Sequence, residues 1–124
     1  MRKVLTFAAV FEAATGLALL IVPSLVGRLL LGAELTDAIP VARVAGIALI
    51  ALGVCCWPGS TALGGMLTYS AGVTVYLAYI GFSGKWAGEL LWPAVALHGI
   101  LTVLLARAWF QSRKPDQSNQ QKNR

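Results

Sequence analysis

The chain has 124 residues, of which 57% are hydrophobic and 12% charged, with a formal net charge of +5. A soluble domain carries about twice that share of charge. These proportions exclude a disordered chain, a nucleic-acid module and an ordinary cytosolic enzyme. No Lys/Arg stripe of the kind that tracks a nucleic acid runs through the sequence, and no nucleic-acid partner is expected.

A helix that spans a bilayer needs about 20 mostly apolar residues. Arg2-Lys3 precedes a first such stretch, which predicts a helix over residues 4–22, stopped by Pro23. Glu12 interrupts its apolar run and no small-x-small cleavage site follows before Pro23, so it reads as a retained helix and not as a secretory signal. Residues 23–32 are too apolar for a solvated loop and too short to span. Leu25/Leu29 and Val26/Leu30 repeat at four, which predicts a short helix lying in the interface with Arg28 reaching to headgroups. Residues 33–39, with Glu34 and Asp37, are the wet part of this connection.

No charged residue occurs from 44 to 84, a stretch too long for one span. Trp57-Pro58-Gly59-Ser60 breaks it, since Pro and Gly together stop a helix and favour a turn. Two helices follow, over 41–56 and 61–82, and a fourth long helix over 88–110. Residues 111–124 are polar and have no aliphatic side chain, so they predict a disordered tail. The fold class expected is all-α: a polytopic membrane protein, an antiparallel four-helix transmembrane bundle with a short interfacial helix after the first span. One domain covers 1–110 and the polar tail 111–124.

Lys and Arg collect on the cytoplasmic side of a membrane. Arg2, Lys3, Arg107, Arg113, Lys114, Lys122 and Arg124 lie at the chain ends, against Arg28, Arg43 and Lys85 on the other side. Seven against three predicts cytoplasmic termini at a bacterial inner membrane. Trp57, Trp109 and Phe110 mark one interface, and Tyr79, Phe82, Trp86 and Trp92 the other. Small residues form packing stripes: Ala9, Ala13 and Gly16; Ala42, Gly46 and Gly53; Gly64/Gly65, Thr68 and Gly72.

Polar groups inside a membrane are expensive, roughly 2.5–3.5 kcal/mol for a charge at the helix centre on insertion scales, so the few present are the candidate ligand or proton sites. Glu12 sits mid-way along the first helix. It reads either as a proton-exchanging carboxyl or as a register-fixing hydrogen-bond partner. His98, the one histidine, sits near the middle of the fourth span, on one face with Ala94 and Thr102. At matching depth, Glu12 and His98 are expected to face each other as a hydrogen-bonded pair or proton relay; the plainer alternative is a satisfied packing histidine. Arg43 either snorkels from the start of the second span or reaches inward toward Glu12 or Glu89. Tyr69 and Tyr76, seven apart, share a face and either line that polar site or pack, each hydroxyl on a neighbouring carbonyl. Cys55-Cys56 are adjacent and form no Cys-x-x-Cys redox motif. No phosphate loop, serine-nucleophile motif or metal motif is present, so no catalytic residue, cofactor or metal is expected.

Three segments carry a resemblance. They are Phe11-Glu12-Ala13-Ala14-Thr15-Gly16 with Pro23 and an apolar stretch to Gly32, Pro40-Val41-Ala42-Arg43-Val44-Ala45-Gly46 with Gly53 and Trp57, and Leu91-Trp92-Pro93-Ala94 with His98. Together they resemble a group of small uncharacterised bacterial four-helix membrane proteins near the broad DoxX-like class. That resemblance implies an inner-membrane bundle and brings no substrate. Some DoxX-like relatives are subunits of quinone-linked redox complexes. In architecture the chain is also similar to small multidrug-resistance transporters, which carry one Glu in their first helix. It departs from them in helix three, where Tyr76-Leu77-Ala78-Tyr79 replaces a Gly-rich, Trp-containing motif, in its longer first loop and in having His98.

The function expected is that of a non-enzymatic accessory or small-ligand-binding membrane protein, with a polar intramembrane site around Glu12 and His98. Its partners are the lipid bilayer and either a second copy or a larger membrane complex. The alternatives are a dimeric proton-coupled small-solute transporter and a subunit of a quinone-linked complex. Reporters fused to each end are expected to show both termini in the cytoplasm; a periplasmic C-terminus would refute the count of four spans.

Overall fold

In a computed structural model the described residues are 2–85 and 88–114. They form five helices: α1 (Arg2–Ile21), α2 (Pro23–Leu31), α3 (Ile39–Cys56), α4 (Ala62–Ser83) and α5 (Leu91–Ser112). No strand occurs among them. Four of the helices, all but α2, are long and apolar enough to cross a membrane. Residues 115–124, most of the expected disordered tail, and Trp86 of the expected aromatic belt lie outside the described residues.

The helix ends follow from local chemistry. Pro23 ends α1 and begins α2, where its missing N–H is no loss in a first turn. Gly32 closes α2 in the left-handed region at φ 66°, its amide bonded to the Arg28 carbonyl. Pro40 sits in the first turn of α3. The break expected between the second and third spans is a turn in which the Ser60 amide donates to the Trp57 carbonyl at 3.0 Å, with Gly59 at φ 84°. Thr61 then caps α4, its hydroxyl oxygen accepting from the Gly64 amide. The fourth span begins at Leu91 instead of residue 88, because Gly88 and Glu89 belong to the turn before it. It runs to Ser112, so Gln111 and Ser112 are helical and not part of the tail.

The short α2 is the expected helix after α1. Pro23 and Gly27 are buried, while Leu25, Leu29 and Leu30 are exposed on its surface. Gly27 is needed there because a Cβ would meet the Leu35 side chain at 2.5 Å. Arg28 makes an ion pair with Glu34 at 2.7 Å across the connection, where the sequence pointed to headgroups. Both side chains are exposed, so the pair is worth at most about 1 kcal/mol.

The long helices pack in a row. α1 lies on α3, α3 on α4 and α4 on α5. Among the described residues no Cα of α1 comes within 8 Å of α4 or α5. Glycine contacts set the first two pairings. A Cβ on Gly16 would lie 2.5 Å from the Gly46 carbonyl oxygen, and one on Gly53 would lie 2.8 Å from that of Ala9. On the other side of α3, Gly65 meets Ala51 and Cys55, and Gly72 meets Ile47. α5 meets α4 through aromatic ends: Trp92 packs edge-on against Phe82 at 5.2 Å, and Trp109 lies against Gly64. No residue of α5 is fully buried.

Most of the large apolar surface of α1 and α5 is exposed, including Phe7, Phe11, Ile100 and Val103. Lipid-facing apolar surface is what spanning helices present.

Gly46→Leu is expected to force α1 and α3 apart and to destabilise the purified protein by about 1–3 kcal/mol or more, read as a lowered Tm in detergent. Gly88→Ala, where a Cβ meets nothing within 4 Å, is expected to stay within about 0.5 kcal/mol.

Candidate functional site

The five residues singled out by polarity fall into three separate places. Glu12 is half-buried on α1. Ala9, Ala13 and Gly16 of the same helix face α3, and at about 100° per residue Glu12 lies roughly 60° round from Ala9, on the flank of that contact. Its carboxylate has no hydrogen bond or ion pair among the described residues. Nearby, the Thr15 hydroxyl donates to the Phe11 carbonyl at 2.9 Å and so takes no part in a contact with Glu12.

His98 is half-buried on α5 and packs edge-on against Tyr69 of α4, with ring centroids 6.0 Å apart. Its Nδ1 lies 2.9 Å from the Ala94 carbonyl oxygen of its own helix. A carbonyl only accepts, so this contact assigns the proton to Nδ1 and leaves Nε2 as an acceptor in the neutral ring. One turn on, the Thr102 hydroxyl donates to the His98 carbonyl at 2.7 Å, and across the interface the Thr74 hydroxyl donates to the Ser70 carbonyl at 2.7 Å. The two threonine oxygens are 3.4 Å apart. Each hydroxyl has a single proton, already given to its own helix, so this contact is a weak one between satisfied groups. The arrangement is a polar seam between α4 and α5, satisfied mostly within each helix.

The expected meeting of Glu12 with His98 does not occur: they stand on helices that do not pack together. The cause is the row. α3 and α4 stand between their helices, and the levels differ as well: Gly53 packs between Ala9 and Ala13, at the level of Glu12, whereas Gly99, next to His98, packs on Thr74, beyond Gly72, which meets Ile47, so the two residues lie roughly 10 Å apart along the helices.

Arg43 forms the third place, with Tyr76. It is half-buried near the start of α3, and its Nε is buried with no hydrogen-bond partner. The side chain as a whole is partly exposed, which is compatible with a buried stem and a head that reaches toward water. It does not reach Glu12. Gly46 packs at the level of Leu19 and Leu20, so Arg43 lies at least as far along as Leu20, about 12 Å from Glu12 along the axis. No ion pair joins it to Glu89. Instead Arg43 lines a cleft of about 420 Å³ with Tyr76, Tyr79, Ile80 and Lys85, between the start of α3 and the end of α4.

Ser70 was missed by the sequence reading. It is fully buried and its Oγ has no hydrogen-bond partner. A serine four residues before Thr74 in an apolar span was the available signal. Tyr69 also borders an apolar groove with Ala51, Cys55, Gly65 and Met66. Cys55 and Cys56 are both free thiols, and Cys55 packs on Gly65. Among the described residues no three His, Cys, Asp or Glu side chains come together.

No family model, curated protein or solved structure matches the chain, so the likeness to the DoxX-like class stands on the sequence motifs alone.

Proposed function

We propose that the chain is a multi-pass protein of the bacterial inner membrane that performs no chemistry of its own and acts as an accessory subunit, associating through α1 with a second copy or another membrane protein. Its long helices stand antiparallel as a bundle across the bilayer, with both termini cytoplasmic. The support for insertion is the length and apolar character of the four helices together with their exposed apolar faces.

The observation that carries the accessory reading is Glu12. It is a carboxyl half-way along an apolar helix, on the flank of a helix at the end of the row, with no partner among the described residues. Intramembrane ionisable groups pair with one another or face a protein interior. A donor from another protein satisfies Glu12 where this chain does not. The histidine does not fill that role, since its helix lies at the other end of the row and its Nδ1 is bonded to Ala94.

A photo-reactive residue at Ala8, one turn from Glu12 on the same flank, is expected to cross-link a second copy or a co-purifying membrane protein. In native mass spectrometry from mild detergent, Glu12→Ala is expected to shift the protein toward monomer, and Glu12→Gln, which keeps the hydrogen-bonding capacity, to shift it less. Wild-type protein that is monomeric in detergent and nanodiscs, with no cross-linked product, would overturn the reading. Proton release on adding candidate cations, lost in Glu12→Gln, would instead support the dimeric transporter.

A further inference from the structure

The cleft at Arg43 has a chemistry of its own. Arg43 lies four residues into α3, about 6 Å from its start. Tyr79 and Tyr76 lie about 6 and 10 Å before the end of α4. Lys85 stands just beyond Gly84, whose left-handed φ of 71° turns the chain at the mouth of the cleft. Two cationic side chains and two phenols therefore line one opening near the ends of two spanning helices, and the rest of its wall includes Pro40 and Ile80.

No carboxylate is among the described residues that line the cleft. Glu34 is engaged by Arg28, and Asp37, in the turn before α3, is exposed and makes no ion pair with Arg43. Ser83 does not offer its hydroxyl proton, which it donates to the Ile80 carbonyl at 2.7 Å. The polar side chains that line the cleft besides Ser83 are Arg43, Lys85, Tyr76 and Tyr79. Arg43 is also incompletely satisfied, since its buried Nε has no acceptor. Buried donors are nearly always paired in native proteins. A guanidinium presents a planar fork of donors that matches the oxygens of a phosphate two at a time, and an adjacent ammonium adds a second charge.

We propose that this cleft binds a phosphate ester, with the phosphate on Arg43, Lys85 and the Tyr76 phenol and the apolar part of the ester against Pro40 and Ile80. The inference rests on the reading that α3 and α4 cross the bilayer, which puts the cleft at headgroup depth. The same chemistry accepts the headgroup of an anionic phospholipid or a free phosphate compound, and the probes below separate the two.

The full chain in detergent is titrated with dihexanoyl phosphatidylglycerol, with inorganic phosphate and with dihexanoylglycerol, which lacks the phosphate. Binding is read by native mass spectrometry and by the shift in Tm. Phosphatidylglycerol is expected to bind more tightly than dihexanoylglycerol. Arg43→Gln is expected to weaken it about tenfold or more, as for loss of a charge-assisted hydrogen bond. Arg43→Lys is expected to weaken it less and Tyr76→Phe a few-fold, with Lys85→Gln as a further variant that leaves the helix interface intact. Inorganic phosphate that competes with the lipid identifies a site open to free phosphate compounds; binding of the lipid alone identifies a headgroup site. Equal binding of dihexanoylglycerol and phosphatidylglycerol, or unchanged affinity in a folded Arg43→Gln or Lys85→Gln protein, overturns the proposal. Carbonate extraction of the membranes tests the spanning reading separately. A chain that resists extraction yet binds neither phosphate probe refutes the site alone, whereas a chain released by carbonate refutes the spanning reading beneath it.

Discussion

The backbone-to-backbone approach of α1 and α3 is the constraint on which the rest of the structure depends. Lipid tails are as apolar as leucine, so two membrane helices gain little from apolar burial and associate by close packing instead. Gly16, Gly46 and Gly53 allow that packing, since a Cβ at any of them would fall within 3 Å of a carbonyl oxygen of the partner helix. With one face of α3 committed to α1, a different face receives α4 at Ile47, Ala51 and Cys55. That second contact brings the start of α3 beside the end of α4, which is why Arg43 and Tyr76 share a cleft.

Polar groups in the long helices fall into two kinds. Thr15, Thr68, Thr74, Thr102 and His98 are satisfied by the carbonyl of their own preceding turn. Such groups hold no free donor and suit packing. Glu12, the Arg43 Nε and the Ser70 Oγ have no such partner among the described residues. The chemical interest of the protein lies with the second kind, and two of its three members, Glu12 and Arg43, belong to ionisable side chains that a structure does not retain in an apolar setting without some compensation.

The helices were legible in the sequence because their signals are local. Pro23, the Trp57-Pro58-Gly59-Ser60 break and the lengths of the apolar runs located all five elements; α1 and α3 each begin two residues earlier than expected, and the ends of the last helix moved by two or three residues. The small-residue stripes were also legible, since Gly16, Gly46, Gly53, Gly65 and Gly72 do lie at helix contacts. The neighbour order was not. In a soluble bundle an apolar stripe tells which face turns inward, but in these helices almost every face is apolar and no such stripe exists. Counting along the sequence put Glu12 and His98 at one depth, but neither the offset between neighbouring helices nor the direction in which each residue pointed could be read from it. A position at a helix end likewise does not tell that the Arg43 Nε is enclosed, which depends on the proximity of α4.

The row has a consequence for how the chain is built. Each long helix packs on the long helix that precedes it in the sequence, from α1 to α3 to α4 to α5, and on no later-made partner out of turn. Contacts between neighbours in the chain carry a small loop-closure penalty and form early. A long helix made later in synthesis therefore always finds its docking surface already made. No helix has to wait for a distant segment, and α5, which joins at the end and buries no residue completely, is added to an assembly in which the glycine contacts of α1 with α3 and of α3 with α4 are already made.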